Sequence, residues 1–177
     1  MPDSAHSEEI VELVDEDDQV IGTVPVKVAN LDPTKIHREV AIMVADSRGR
    51  LLLQKRSQQK DHEPGLWTMA AAGHIPVGMT PLEGAHAELQ EELGFDTELQ
   101  FVEKYFDEIP TQRRFIYLYI GTSDDPKLVL EPSEVDTAEF VDEAEAIRRI
   151  GQSRTGMGLN YELAKRFFAG EFDQFLQ

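Results

Sequence analysis

The sequence predicts an α/β (α+β) chain: a mixed sheet packed between helices, with an N-terminal β-hairpin. Three observations predict it. Short β-branched and apolar runs alternate with helical stretches, in strand–helix–strand–helix order. One helix carries both a start and a stop signal. No repeat, low-complexity tract or linker divides the chain, so residues 11–177 are expected to form one domain behind a disordered tail, residues 1–10.

The elements follow in order. Residues 12–15 and 20–24 predict two strands around the turn Glu16-Asp17-Asp18. Residues 30–34, with Pro33, predict a loop. Residues 38–44 are apolar enough for a buried strand, and Ser47-Arg48-Gly49-Arg50 turns the chain into its partner, 51–55. A polar loop, 58–65, precedes a short strand over 66–72. Thr80-Pro81-Leu82-Glu83 is a capping box with proline at N1. Leu82, Ala85, Leu89 and Leu93 form the apolar stripe of the helix it opens, and Gly94 stops it. Strands are expected over 98–106, 113–120 and 137–141, and helices over 142–150 and 160–168. Trp67 belongs to the core. Phe167, Phe168, Phe172 and Phe175 suit C-terminal packing or a dimer contact.

Composition narrows the function. The formal net charge is −17 and the pI about 4.6, which argues against general affinity for nucleic acid or anionic membrane. No apolar run approaches the roughly 20 residues that span a bilayer. The start, MPDSAHSEE, is acidic and polar, unlike a secretory signal. There is no cysteine, hence no disulfide framework and no thiol chemistry. A cytoplasmic location is the expectation.

The chemistry concentrates on the capped helix. Glu88, Glu91 and Glu92 stand at i, i+3 and i+4, sharing one helical face over about 100° of arc. Such acids are ordinarily a solvated face. Packed together, though, like charges repel, and a divalent cation relieves the repulsion. Hard oxygen ligands suit Mg²⁺ or Mn²⁺.

The block GHIPVGMTPLEGAHAELQEELGF, Gly73 to Phe95, resembles the signature of the Nudix hydrolases. That signature runs glycine, five residues, Glu, seven residues, then Arg-Glu-apolar-x-Glu-Glu-x-Gly-apolar. The chain supplies Gly73, Glu88, Leu89, Glu91, Glu92, Gly94 and Phe95 in register. Met79 replaces the first Glu and Ala87 the Arg. Leu13-Val14-Asp15-Glu16, Val20-Ile21-Gly22, His37-Arg38, Leu52 to Arg56, Lys60-Asp61, Pro64-Gly65 and Trp67 are similar to the branch related to type I isopentenyl-diphosphate isomerase. That likeness spans roughly residues 11–141.

The resemblance implies a Nudix α/β/α sandwich with the signature helix and its preceding loop at the active site. It implies Mg²⁺ (or Mn²⁺) held by Glu88, Glu91, Glu92 and the Gly73 carbonyl. It implies Arg56 and Lys60 on a diphosphate, with His37 and His74 as further substrate-binding residues. Glu88 or Glu134 is the candidate catalytic base. Ala87 and Met79 thin the support of the acidic cluster, and lost supporting contacts cost about 10–100-fold in metal affinity or activity.

The isomerase of this branch relies on a cysteine before its Gly-His pair, where this chain has Ala72. A third histidine position is Asn30, and no downstream glutamate pair stands between Phe106 and Tyr119. The expected activity is therefore metal-dependent hydrolysis of a diphosphate (pyrophosphate) linkage in a small molecule, a nucleoside diphosphate derivative. The alternatives are a Nudix-fold module that binds a diphosphate or nucleotide without cutting it, and the isomerase. Of Arg113 and Arg114, adjacent in a strand, at most one can meet substrate. Pairing into a homodimer stays open.

Overall fold

Strand β3 (Ile36–Ala45) is apolar on both faces from Val40 onward, and there both faces are covered. Val40, Ile42 and Val44 cluster with Ala85, Leu89 and Leu93 of helix α2 (Pro81–Leu93). Ala41, Met43 and Ala45 point the other way, toward Ala146 and Ile150 of α3 (Glu143–Ile150) and Leu163, Ala164 and Phe167 of α4 (Gly158–Phe168). The period-2 alternation of one strand thus sets the layers: helix, mixed sheet, helices. The computed structural model describes residues 9–151 and 158–176.

Among the described residues nine strands form one hydrogen-bonded sheet. Strand β3 runs parallel to β8 (Gln112–Thr122), from Ile36↔Arg113 to Ala45↔Thr122. It runs antiparallel to β6 (Ala71–His74), with Glu39 opposite His74 and Val40 opposite Gly73. Strands β1 (Ile10–Val14) and β2 (Val20–Pro25) form the N-terminal hairpin. Strand β7 (Leu99–Ile109) pairs with β8. Strand β4 (Leu51–Arg56) leaves β3 through a tight turn and pairs with β5 (Trp67–Thr68) and β9 (Val135–Val141).

Helix α2 has the ends its sequence calls for. Thr80 Oγ1 accepts from Glu83 N at 3.3 Å, and Glu83 Oε2 accepts from Thr80 N at 2.8 Å. Gly94 closes the helix at φ 70°, a left-handed angle that a Cβ would strain. Beyond it, Val129 N and Glu131 N donate to the carbonyls of Leu93 and Glu92, so the segment leading to Glu134 is seated on the helix C-terminus. At the other end, Glu12 accepts from Gly78 N at 3.2 Å and from Arg38 at 3.1 Å, tying the hairpin to the loop before α2. Asp18, buried in the hairpin turn, accepts from Arg38 Nε at 2.6 Å and Lys104 Nζ at 2.9 Å.

The structure departs from the expected elements in several places. Residues 1–8 of the expected tail lie outside the described residues. Ile10 belongs to β1, and Glu9 O accepts from Val26 N at 2.9 Å. Pro25 is followed by one helical turn, α1 (Val26–Ala29), where no element was expected. The strand expected over 66–72 is two strands, because β5 pairs with β4 whereas β6 crosses to β3. Strands β7 and β8 extend through 109 and from 112, where acid-rich Asp107-Glu108 reads as a strand end. Their charges are cross-strand partners instead: Asp107 stands opposite Arg114 and Glu108 opposite Arg113. Leu82 is exposed, and Gly84 takes its expected place against Ile75. Phe167 and Phe172 are buried in the core and Phe168 and Phe175 pack against it, so the C-terminal aromatic stripe serves packing.

Candidate functional site

Gly73 lies on β6 with its α-carbon facing α2. A methyl group there would sit 2.3 Å from Glu88 Oε2 and 2.4 Å from its carboxyl carbon. Only a residue without a side chain lets the Glu88 carboxyl reach the strand. Glu92, one turn further on, is buried, Glu88 is half-buried, and Glu91 is exposed. Among the described residues none of the three forms an ion pair with a Lys, Arg or His.

The electrostatics follow. Burial pushes the Glu88 carboxyl up to about 9, with Glu92, Glu91, Glu9 and Glu134 adding to the rise. Burial likewise pushes Glu92 up to about 7. A hydrogen bond from Gln54 and the charges of Lys60 and Arg56 oppose the rise, while Glu134 adds to it. A cluster of acids that cannot all ionise together is a place where a divalent cation is welcome. The cradle at Gly73, the oxygen-only donor set and the lack of a direct ion pair among the described residues fit Mg²⁺ or Mn²⁺.

The other expected residues divide. Glu134 stands close enough for its charge to raise both Glu88 and Glu92. Lys60 does not point to an open anion site: its ammonium is ion-paired with Glu134. Arg56 donates to the carbonyl of His62 at 2.9 and 3.2 Å. Both cations are thus engaged within the protein beside the acids.

His37 and His74 are brought to each other, their ring centres 5.5 Å apart. By strand alternation they share the sheet face of Ala41 and Met43, opposite to α2. Glu39 lies between them, 3.2 Å from His37 Nε2 and 3.5 Å from His74 Nε2. These three residues could converge on an ion. Their negative charge is already compensated, however. Arg114 Nη1 donates to both Glu39 oxygens at 3.0 and 3.1 Å, and its Nε donates to Asp107 at 2.9 Å. Although burial alone would raise the Glu39 carboxyl, Arg114 and the His37 hydrogen bond hold it down to about 2. Burial lowers His74, favouring its neutral form. Of the adjacent arginines, Arg114 joins this cluster, and Arg113 turns to Glu16 and Glu108.

Sequence reasoning missed two participants, Gln54 and Glu39, and weighed a third, Arg114, only as a substrate contact. Gln54 reaches Glu92 from β4, and Glu39 and Arg114 organise the histidines. Glu39 lies two residues beyond His37, a period-2 spacing that places both on one face. Arg114 required the parallel β3–β8 register to be placed. Gln54 had no local signal, since its partner is 38 residues away.

Comparison with known proteins agrees with this architecture. The NUDIX domain model matches residues 35–159. An isopentenyl-diphosphate Delta-isomerase of Serratia proteamaculans is 39% identical over 122 residues, covering 66% of this chain and 68% of that protein. An uncharacterized Nudix hydrolase of Listeria monocytogenes is 31% identical over 147 residues, covering 80% and 85%. A crystal structure from Deinococcus radiodurans superposes with TM-score 0.76 over 90% of this chain and 99% of that one; at 23% identity it speaks for the fold alone. With a matched segment that spans β3 through the start of α4 and includes the whole acidic helix, the chain belongs to the Nudix family.

Proposed function

We propose that the protein hydrolyses a diphosphate linkage in a small molecule, a nucleoside diphosphate derivative, with Mg²⁺ or Mn²⁺ held by Glu88, Glu91, Glu92 and the Gly73 carbonyl. The observation that carries this is the packing of the Glu88 carboxyl against bare Gly73 backbone, next to Glu92, without a cationic partner among the described residues. When bound there, the ion supplies Lewis acidity toward a phosphoryl oxygen and toward water. The chain's own part is to position and to take a proton. In this reading Glu88 accepts one from the attacking water. Glu134, ion-paired with Lys60 and carried by a segment that bonds the α2 C-terminus, is the second candidate for that role. A diphosphate entering beside them competes with the His62 carbonyl for Arg56 and with Glu134 for Lys60, whose forked and point-charge donors suit phosphate oxygens.

Relatives named as isomerases favour a second reading, allylic isomerisation of isopentenyl diphosphate. That reaction needs a proton donor on the β6 segment before Gly73, and the residue there is Ala72, a methyl group. A panel of diphosphate esters with Mg²⁺ or Mn²⁺, followed by ³¹P NMR, separates the two. Hydrolysis that falls about 10²–10⁴-fold in Glu88→Gln supports the proposal. Conversion of isopentenyl diphosphate to its allylic isomer, or an absence of turnover on every ester, overturns it.

A further inference from the structure

Gln54 is buried in β4, on the strand face that meets α2. Its Nε2 donates to the Ala70 carbonyl at 3.0 Å and to Glu92 Oε2. Among the described residues no other side chain hydrogen-bonds a carboxylate of Glu88, Glu91 or Glu92. The helix has no support of its own to offer at this point: residue 87, one turn before Glu91, is an alanine.

From these contacts we infer that Gln54 is the positioning residue of the metal site, a neutral amide that fixes one oxygen of Glu92 and leaves the other for the ion. This rests on the metal-binding reading of α2. The chemistry of the side chain matters. An arginine or lysine in this place would orient Glu92 equally well but would bring a positive charge against the incoming cation. An apolar residue would leave Glu92 Oε2 buried without a donor. The amide orients without neutralising. It adds no positive charge against an incoming metal ion, and its second N–H bond to Ala70 O keeps it from swinging away. Because Ala70 directly precedes β6, the same side chain couples the strand carrying Gly73 to the helix carrying Glu92, the two sides of the proposed site.

Mn²⁺ alone is the probe, titrated by calorimetry into the parent, Gln54→Met, Glu92→Gln and the double variant, with the thermal midpoint of each recorded. Gln54→Met, close in shape but without the N–H, is expected to lose about tenfold in Mn²⁺ affinity. The double variant is expected to lose clearly less than the product of the two single losses, because Gln54 acts chiefly through Glu92. A general structural role would instead make the two losses multiply. Gln54→Leu provides a second substitution should the Met variant fail to fold. Parental affinity in a folded Gln54 variant, or multiplying losses, overturns this inference alone. A parent that takes up no Mn²⁺ overturns the metal reading and this inference with it.

Discussion

Replacing Glu88 by glutamine is expected to stabilise the metal-free protein while it lowers the proposed hydrolysis. The Glu88 carboxyl is raised from 4.5 to about 9 in the fold, chiefly by burial and then by Glu92, Glu91, Glu9 and Glu134. A group whose folded pKa exceeds its unfolded one is neutral in the fold while it ionises in the unfolded chain. Its cost is absent below pH 4.5, grows as pH rises from 4.5 toward 9, and is constant above. At pH 7 about 2.5 units of that window have been crossed, at 1.36 kcal/mol each. With allowance for the solvent a half-buried carboxyl still sees, the destabilisation is about 2–3 kcal/mol. Glutamine keeps the volume and has no proton to lose, so Glu88→Gln recovers that amount. For a chain of this size it corresponds to roughly 5–10 °C in midpoint temperature. The assay is urea unfolding in EDTA from pH 5 to pH 8. The parent is expected to lose stability across that range, and the variant to follow a visibly flatter line. A variant no more stable than the parent at pH 7, with the same pH slope, refutes the reasoning.

Further expectations can be checked by similar means. Gly73→Ala places a methyl 2.3 Å from Glu88 Oε2, so the carboxyl must move; Mn²⁺ affinity should fall at least about tenfold with the fold retained by circular dichroism. Arg114→Gln leaves Glu39 buried without its arginine partner and should cost about 3–5 kcal/mol in urea unfolding at pH 7. Since Glu39 is held at about 2, the stability it contributes is present above pH 4.5 and is lost as pH falls toward 2; in the variant this acid-limb loss should shrink by about 3 kcal/mol. Thr80→Ala removes the capping box and should cost about 1 kcal/mol without changing metal affinity.

Much of this arrangement was legible in the chain because it is local. The capping box at Thr80, the stop at Gly94 and the i, i+3, i+4 spacing of the acids all lie within one helix, where 3.6-residue periodicity converts sequence into geometry. The buried strand β3 announced itself by continuous apolar residues. What escaped depends on partners distant in sequence. Strand β6 could not be told from β5, because the break at Met69-Ala70 carries no turn residue; only the separate pairings to β3 and β4 reveal it. Leu82 looked like core by spacing, yet the helix entry overhangs the sheet and Gly84 packs on Ile75 instead. The cations expected on the diphosphate, Arg56 and Lys60, are engaged with His62 O and Glu134, contacts made by loop closure that no periodicity encodes.

Calorimetric titration of Mg²⁺ into metal-free protein at pH 7.5, repeated in two buffers of different ionisation enthalpy, reaches the central claim most directly. A cation entering a cluster in which the Glu88 carboxyl holds its proton must expel it, so uptake is expected with release of about one proton, and Glu88→Gln should abolish that release. Failure of the parent to take up Mg²⁺, or uptake at the same buffer-independent heat in parent and variant, contradicts the account.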